Sequence, residues 1–374
     1  MIKKALILLA IVFVAAACSS SDEGPGTTND NFDRTALLTN LADNIIVPAL
    51  ENFQTKLSDL DVARGNFIND INESNLNLLS DAWLEAYKAW QHIEMFNIGE
   101  AETQGGSAKG FVVFFNIYPV TVSEIENGAA SGVYDLNSAN YHDAQGFPAL
   151  DFLIHGVAVS DTNPIEKFTT NANAIGYIDY MTNVQSQMNS KFSAIINDWQ
   201  NTYRDIFVAN LASSSTGSFS KIVNDFVFYY EAGLRRNKVG IPAGNFSNMP
   251  LPEKVEAFYK KDVSKILALE AMNAVVDFFN GRSFDNSTNG EGFANYLDYL
   301  ERSELKTAII DQFNTARQKI EVLDNNFYQQ VNTDNTKMTE AYDALQMAVV
   351  LLKVDMMGAF QVSLDPGYQD NDGD

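Results

Sequence analysis

Between Asn75 and Asn97 the side chains Leu76, Leu79, Trp83, Ala86, Trp90 and Ile93 recur at alternating spacings of three and four. That is the repeat of one face of an α-helix. Ser80, Asp81, Glu85, Lys88 and Gln91 fill the remaining surface, and Gly99 supplies a stop. An apolar stripe of this length needs another element to cover it. The same spacing returns in Phe219, Ile222, Phe226, Tyr230 and Gly233, and again in Met338, Ala341, Leu345, Ala348, Leu352 and Met356. Further helices are expected near 34–60, 120–127, 147–156, 172–208, 252–280, 291–300 and 303–327. Gly110 to Tyr118 (GFVVFFNIY) reads as a strand, a buried helix or the start of a loop, which period alone does not separate. With so many amphipathic helices and so little alternation, the chain is expected to be all-α: two helical-bundle domains packed against each other.

The first 17 residues carry Lys3 and Lys4, an unbroken apolar run from Ala5 to Ala17, and then the only cysteine, Cys18. A short basic region, an apolar core and small residues make an export signal, too short for a membrane-spanning helix. Ala15, Ala16 and Ala17 before Cys18 resemble a bacterial lipobox, in which the cysteine is lipidated and becomes the mature N-terminus. An incidental cysteine after a cleaved signal is the alternative. With no second cysteine, no disulfide can form within the chain. Acyl chains on Cys18 would hold the protein at a membrane. Ser19 after the cysteine implies outer-membrane sorting in lipoproteins, on the periplasmic face or the cell surface.

The expected organisation is a signal peptide at 1–17, a flexible tether at 18–31, a first bundle at 32–211, a linker at 212–218 (ASSSTGS), a second bundle at 219–365 and an acidic tail at 366–374. The tail ends DNDGD but lacks the glycine register and closing glutamate of a calcium loop. The chain holds 25 basic against 48 acidic residues, a net charge of −23. That balance excludes nucleic acid and anionic headgroups as partners.

Five stretches, in this order, resemble the imelysin family: WLEAYKAWQHIEMFNIG (83–99), IYPVTVSEI (117–125), GFPALDFLIHG (146–156), YYEAGLRRNKVGIPAG (229–244) and LKVDMMGAFQVSLDPGYQDNDGD (352–374). The resemblance implies an all-α fold of two bundles, an extracytoplasmic location and a link to iron or haem acquisition. Some family members are classed as metallopeptidases. The family carries a Gly-x-His-x-x-Glu motif where this chain has Gly146, Pro148 and Asp151. Proline has no donor atom and cannot ligate a metal, although it suits a first helical turn.

Asp151 and His155 are four apart and share one helix face amid Leu150, Phe152, Leu153 and Ile154. A carboxylate and a neutral imidazole would supply two metal ligands; the plainer reading is a hydrogen-bonded pair. Glu94 lies one turn beyond Trp90, where its carboxylate would project toward a groove between bundles, and a rim glutamate is the commoner outcome. Glu94, Asp151 and His155 are therefore the expected metal ligands. Trp90, Glu94, Gly146, Asp151 and Arg235 are the expected ligand-binding residues, with Trp83 and Trp90 packing the cleft wall. His92 reads as surface and His142 as a loop residue. Arg235 would hold a carboxylate or a haem propionate, or simply pair with Glu231 at i, i+4.

There is no thiol after Cys18 and no His-Glu-x-x-His motif, so hydrolysis has little equipment. The expected function is non-enzymatic capture of iron, another divalent or trivalent metal, haem or a metal-bearing ligand. A metal-independent module for an envelope protein partner is the alternative, and a metallopeptidase a weaker one.

Overall fold

A computed structural model describes residues 31–106 and 109–365. Cys18 with its expected lipid, the signal segment, the tether before Asn31 and the tail at 366–374 lie outside the described residues. Among those described there is no strand, and one isolated antiparallel bridge pairs Arg282 with Asn289. No helix there is long and apolar enough to cross a membrane.

Helix α1 runs through Arg34–Asn40, a π-helical stretch at Leu41–Ile46, and Val47–Asn69. Pro48 follows directly on the wider winding, which accommodates its missing N–H and its ring. Asn72 then caps α2 (Glu73–Gln91) by accepting the Asn75 N–H. Next come α3 (Val122–Ser131), α4 (Gly146–His155) and α5, which spans Ala174–Asp198, Trp199–Tyr203 and Arg204–Ala209. Helix α5 packs on α1, α3 and α4. The second half begins with α6, which is α-helical over Ser218–Phe228, π-helical over Tyr229–Gly240 and closed by Ile241–Ala243. It continues with α7 (Ser264–Phe279), α8 (Phe293–Tyr299), α9 (Ser303–Glu321), α10 (Phe327–Thr333) and α11, through Asn335–Val350, Leu351–Met356 and Met357–Phe360. Helices α6, α7, α9 and α11 pack on one another.

The halves share one connected apolar core. Helix α7 lies on α2, and the Arg34–Asn40 part of α1 lies on Ser218–Phe228. Asn40 donates to the carbonyls of Gly281 and Glu291 at 2.9 and 2.8 Å, and the Phe284 N–H donates to the Asn44 carbonyl at 2.8 Å. Phe32 stacks on Tyr296 with ring centroids 4.3 Å apart. The beginning of α1 is thus built into the second group of helices, although it opens the first half of the sequence.

One expected element differs, and one left open is decided. Residues 252–280 do not form one helix: 252–263 are turns, and α7 begins only at Ser264. Ala257 and Lys261 have φ of 57° and 67°, in the left-handed region that no continuing helix allows. The stretch GFVVFFNIY forms a single buried helical turn at Val112–Phe115.

Candidate functional site

The end of α2 delivers Tyr87, Trp90, Gln91 and then Glu94 toward the junction of the two halves. Trp90 and Gln91 are fully buried, and Glu94 is 8% exposed. Trp90 stacks on Phe115 with centroids 4.8 Å apart and donates its indole N–H to Glu94 Oε2 at 2.9 Å. Asn116, which follows the Val112–Phe115 turn, joins the two halves. Its Nδ2 donates to Glu256 Oε1 at 3.0 Å and faces Glu94 Oε2 at 3.4 Å, while its Oδ1 accepts the Tyr87 hydroxyl at 2.5 Å.

Glu256 comes from the turns before α7. Lys238 of α6 donates to both of its oxygens, at 2.8 and 2.7 Å, and Gln91 donates to it at 3.3 Å. Both side chains of this ion pair are 2% exposed. Burial, and secondarily the charge of Glu256, raises the Glu94 carboxyl to about 7, against opposing pulls from Lys238, Asn116 and Trp90. Burial, with help from the two glutamates, also raises the hydroxyls of Tyr87, Tyr118 and Tyr229 well above the ordinary tyrosine range.

Glu94 lines a cavity of about 50 Å³. Its other walls come from Asn97, Lys109, the Val112–Ile117 segment and one face of α6 that includes Asp225, Tyr229, Gly233 and Arg236. The space exceeds what one water needs, roughly 10–15 Å³. It is far below the several hundred Å³ of pockets that enclose drug-sized ligands, so this cavity does not enclose a haem macrocycle.

The other expected ligands sit elsewhere and are already occupied. Asp151 is 1% exposed, and its carboxylate accepts the backbone N–H groups of Tyr259 and Lys260 at 2.8 and 2.9 Å. Its Oδ1 also faces His155 Nδ1 at 2.9 Å, and His155 Nε2 meets the Ser80 hydroxyl at 2.8 Å. Both ring nitrogens of His155 are therefore engaged, and no lone pair is left for a metal unless Ser80 is displaced. No group of three or more His, Cys, Asp or Glu side chains among the described residues is arranged to hold a metal ion. The set Glu94, Asp151 and His155 does not fit a metal; the Asp151–His155 pair locks the turn before α7 instead.

Arg235 is fully buried and donates to Gln346 and, at 3.3 Å, to the Tyr342 hydroxyl; Glu231 lies at 3.6 Å. It is a packing cation of the second half and lies away from the cavity. Gly146 has φ +72°, and a Cβ there would lie 2.2 Å from the Phe115 carbonyl oxygen, so it seats α4 against the Val112–Phe115 turn. Trp83 is fully buried and donates to the Phe147 carbonyl at 3.2 Å; it is core, as is Trp90, and neither forms an open cleft wall. His92 is half-buried and reaches Glu270 of α7 at 3.2 Å, a contact between the halves. His142 is half-buried at the edge of Phe114, with centroids 5.6 Å apart.

Asn116, Lys238, Glu256, Asp225 and Tyr229 were not expected at the site. On uniform 3.6-residue spacing, Lys238 falls off the face set by Phe219, Ile222, Phe226 and Tyr230. The π-helical winding of Tyr229–Gly240 turns it inward. The only signal for Glu256 was Pro252, which marks a break ahead of α7.

The family model for Imelysin matches residues 46–354. The chain belongs to the imelysin family. Among solved structures, this imelysin-family chain is similar to a protein from Parabacteroides distasonis ATCC 8503 described as an iron-regulated protein A precursor. The TM-score is 0.69 at 15% identity, covering 87% of this chain and 95% of that one. It is also similar to an imelysin-like protein from Psychrobacter arcticum 273-4, with a TM-score of 0.67 at 16% identity, covering 89% and 96% of the two chains. At such identities these likenesses establish the all-α fold. A comparison with curated protein sequences finds no match.

Proposed function

We propose that this imelysin-family chain is a non-enzymatic, iron-linked binding protein of the bacterial envelope, anchored by lipid on Cys18, which takes a small cationic ligand at the Glu94 cavity. The basic and apolar leader with Ala15, Ala16 and Ala17 before Cys18 supports export and anchoring at the outer membrane. The iron link rests on the family and on the description of the Parabacteroides protein.

One observation carries the binding reading. Glu94 is a buried carboxylate whose two hydrogen bonds both go to Oε2, and it lines a cavity with room for an ion. A carboxylate in that position gains from a cation far more than it would in water. A metallopeptidase would need a metal and a catalytic base together, and Asp151 and His155 are engaged in holding the fold.

Calorimetric titration of the full chain in detergent with ferrous, ferric and zinc ions tests the reading. Saturable heat with at least one ion, lost in Glu94→Gln and kept in Asp151→Asn, is the expected result. Binding unaffected by Glu94→Gln, or no binding, would overturn it. The second outcome would favour a metal-independent module that contacts an envelope partner. Incorporation of labelled fatty acid, lost in Cys18→Ser, checks the anchor.

A further inference from the structure

A second and much larger cavity, a groove of about 990 Å³, lies between the start of α1, the 280–291 loop and the facing sides of α8 and α9. It shares no lining residue with the Glu94 cavity. Its volume stands at the upper end of the roughly 300–1,000 Å³ that small-molecule sites occupy. Asn40, 7% exposed, lines its buried side and ties the 280–291 loop to α1 through the Gly281 and Glu291 carbonyls. A Cβ on Gly290 would lie 2.2 Å from the Asn40 amide oxygen, so glycine is what lets the loop come this close. The Gly290 N–H returns to the Gly281 carbonyl at 2.9 Å and closes the loop.

The walls hold hydrogen-bonding groups in fixed positions. Asn295 of α8 accepts the Gly292 N–H at 3.2 Å, Asn280 donates to the Val276 carbonyl at 2.8 Å, and Asn44 donates to Asn40 at 2.8 Å. Each of these three amides is held at one end, and its other polar atom has no partner among the described residues. The Thr35 and Thr39 hydroxyls and the Glu291 carboxylate have none there either. The groove therefore offers donors and acceptors together.

Charge on the walls nearly cancels, with Asp33, Glu291 and Asp298 against Arg282 and Lys306. Lys306 already donates to Asp298 at 2.6 Å, and Asp33 caps α1 through the Ala36 N–H at 2.9 Å. An ionic ligand finds no field of one sign here. The apolar side chains on the walls are Ala36, Ala294 and Ile310. That is too little surface to hold a lipid chain or to seat the alternate side chains of an extended peptide.

We infer that this groove binds a neutral oligosaccharide, with Thr35, Thr39, Asn280, Asn289, Asn295 and Glu291 bonding its hydroxyl groups. A sugar hydroxyl donates and accepts at once, which matches a mixture of amides, hydroxyls and a carboxylate. The volume suits several linked rings rather than one. No aromatic ring among the described residues lines the groove, so affinity comes from hydrogen bonds of modest net worth in water. Dissociation constants of about 0.1–1 mM are expected.

Saturation-transfer NMR on the full chain in detergent tests this. Maltohexaose, cellohexaose and mannohexaose serve as neutral sugars, oligogalacturonate as an acidic one, and a serine-rich peptide as a polar ligand that is not a sugar. The expected result is saturable transfer to at least one neutral hexaose, unchanged between about 0.05 and 0.5 M salt. Ala36→Trp, which fills the groove, and Asn289→Leu, at an exposed loop position, should each weaken that binding about tenfold or more. Melting of Asn289→Leu should stay as in the wild type, so its loss is read without a change in fold. Glu94→Gln should bind the sugar as the wild type does, which separates this groove from the proposed cation site. No transfer to any neutral hexaose, tighter binding of the acidic sugar or the peptide, or binding indifferent to both groove substitutions overturns the inference. Loss of sugar binding in Glu94→Gln would overturn the placement of the site.

Discussion

The Lys238 ammonium and the Glu256 carboxylate meet at 2.7 Å with both side chains 2% exposed, at the point where the two halves of the chain join. Asn116 and Gln91 donate to the same carboxylate from the first half. The turn before α7 and the π-helical part of α6 are thus held by a buried pair that must form as a unit. Removing one partner leaves an uncompensated charge in a dry environment, which typically costs about 3–5 kcal/mol. Glu256→Leu and Lys238→Met should each lower the urea midpoint sharply. The double variant should be less destabilised than the sum of the two, as a double-mutant cycle would show.

Asp151 holds the same turn from its other side through the Tyr259 and Lys260 amides. Asp151→Ala would orphan both N–H groups. Hydrogen bonds to a charged group contribute roughly 1.5–3 kcal/mol each. A loss on the order of 3 kcal/mol in denaturant unfolding is expected, with faster hydrogen exchange at Tyr259 and Lys260. Unchanged exchange at those two amides would contradict the structural role.

Glu94 gives the protein a definite pH dependence. Its folded carboxyl is raised, chiefly by burial, from 4.5 to about 7. Between those values the folded state binds more protons than the unfolded one, so stability falls as pH rises through the window. The stability is fully present below the unfolded value and is lost by about the folded value. Each tenfold gain in proton affinity on folding is worth about 1.36 kcal/mol, so the loss is at most about 3 kcal/mol. Urea unfolding of the ion-free protein should therefore show Glu94→Gln gaining on the wild type between pH 5 and pH 8. Parallel curves for the two proteins across that range would refute the assignment.

Gly146→Ala should be severe despite its small volume. The new Cβ meets the Phe115 carbonyl carbon and oxygen at 2.5 and 2.2 Å, on a backbone with positive φ. Strain at such a position costs of order 1–3 kcal/mol before any shift of the Val112–Phe115 turn. A drop in melting temperature of several degrees is expected. A melting curve matching the wild type would show that α4 can move aside.

The stripe of Leu76, Leu79, Trp83, Ala86, Trp90 and Ile93, with its counterparts in α6 and α11, determined that the chain would be helical and which faces would be buried. It also put Glu94 at the border of the apolar face, because local periodicity depends only on neighbouring residues. Local pattern could not show that Asp151 would find the amides of Tyr259 and Lys260, or that His155 would be taken by Ser80. Those partners are remote in sequence, and contact between them follows from packing α4 against α2 and the turn before α7. Nor could it show Lys238 turning inward, since that depends on the wider winding of α6. The sequence by itself set the helices and their apolar faces. Only the tertiary structure decided which buried charges have partners and which oxygens, Asp225 Oδ2 and the Tyr229 hydroxyl, have none among the described residues, because those contacts depend on how distant helices pack.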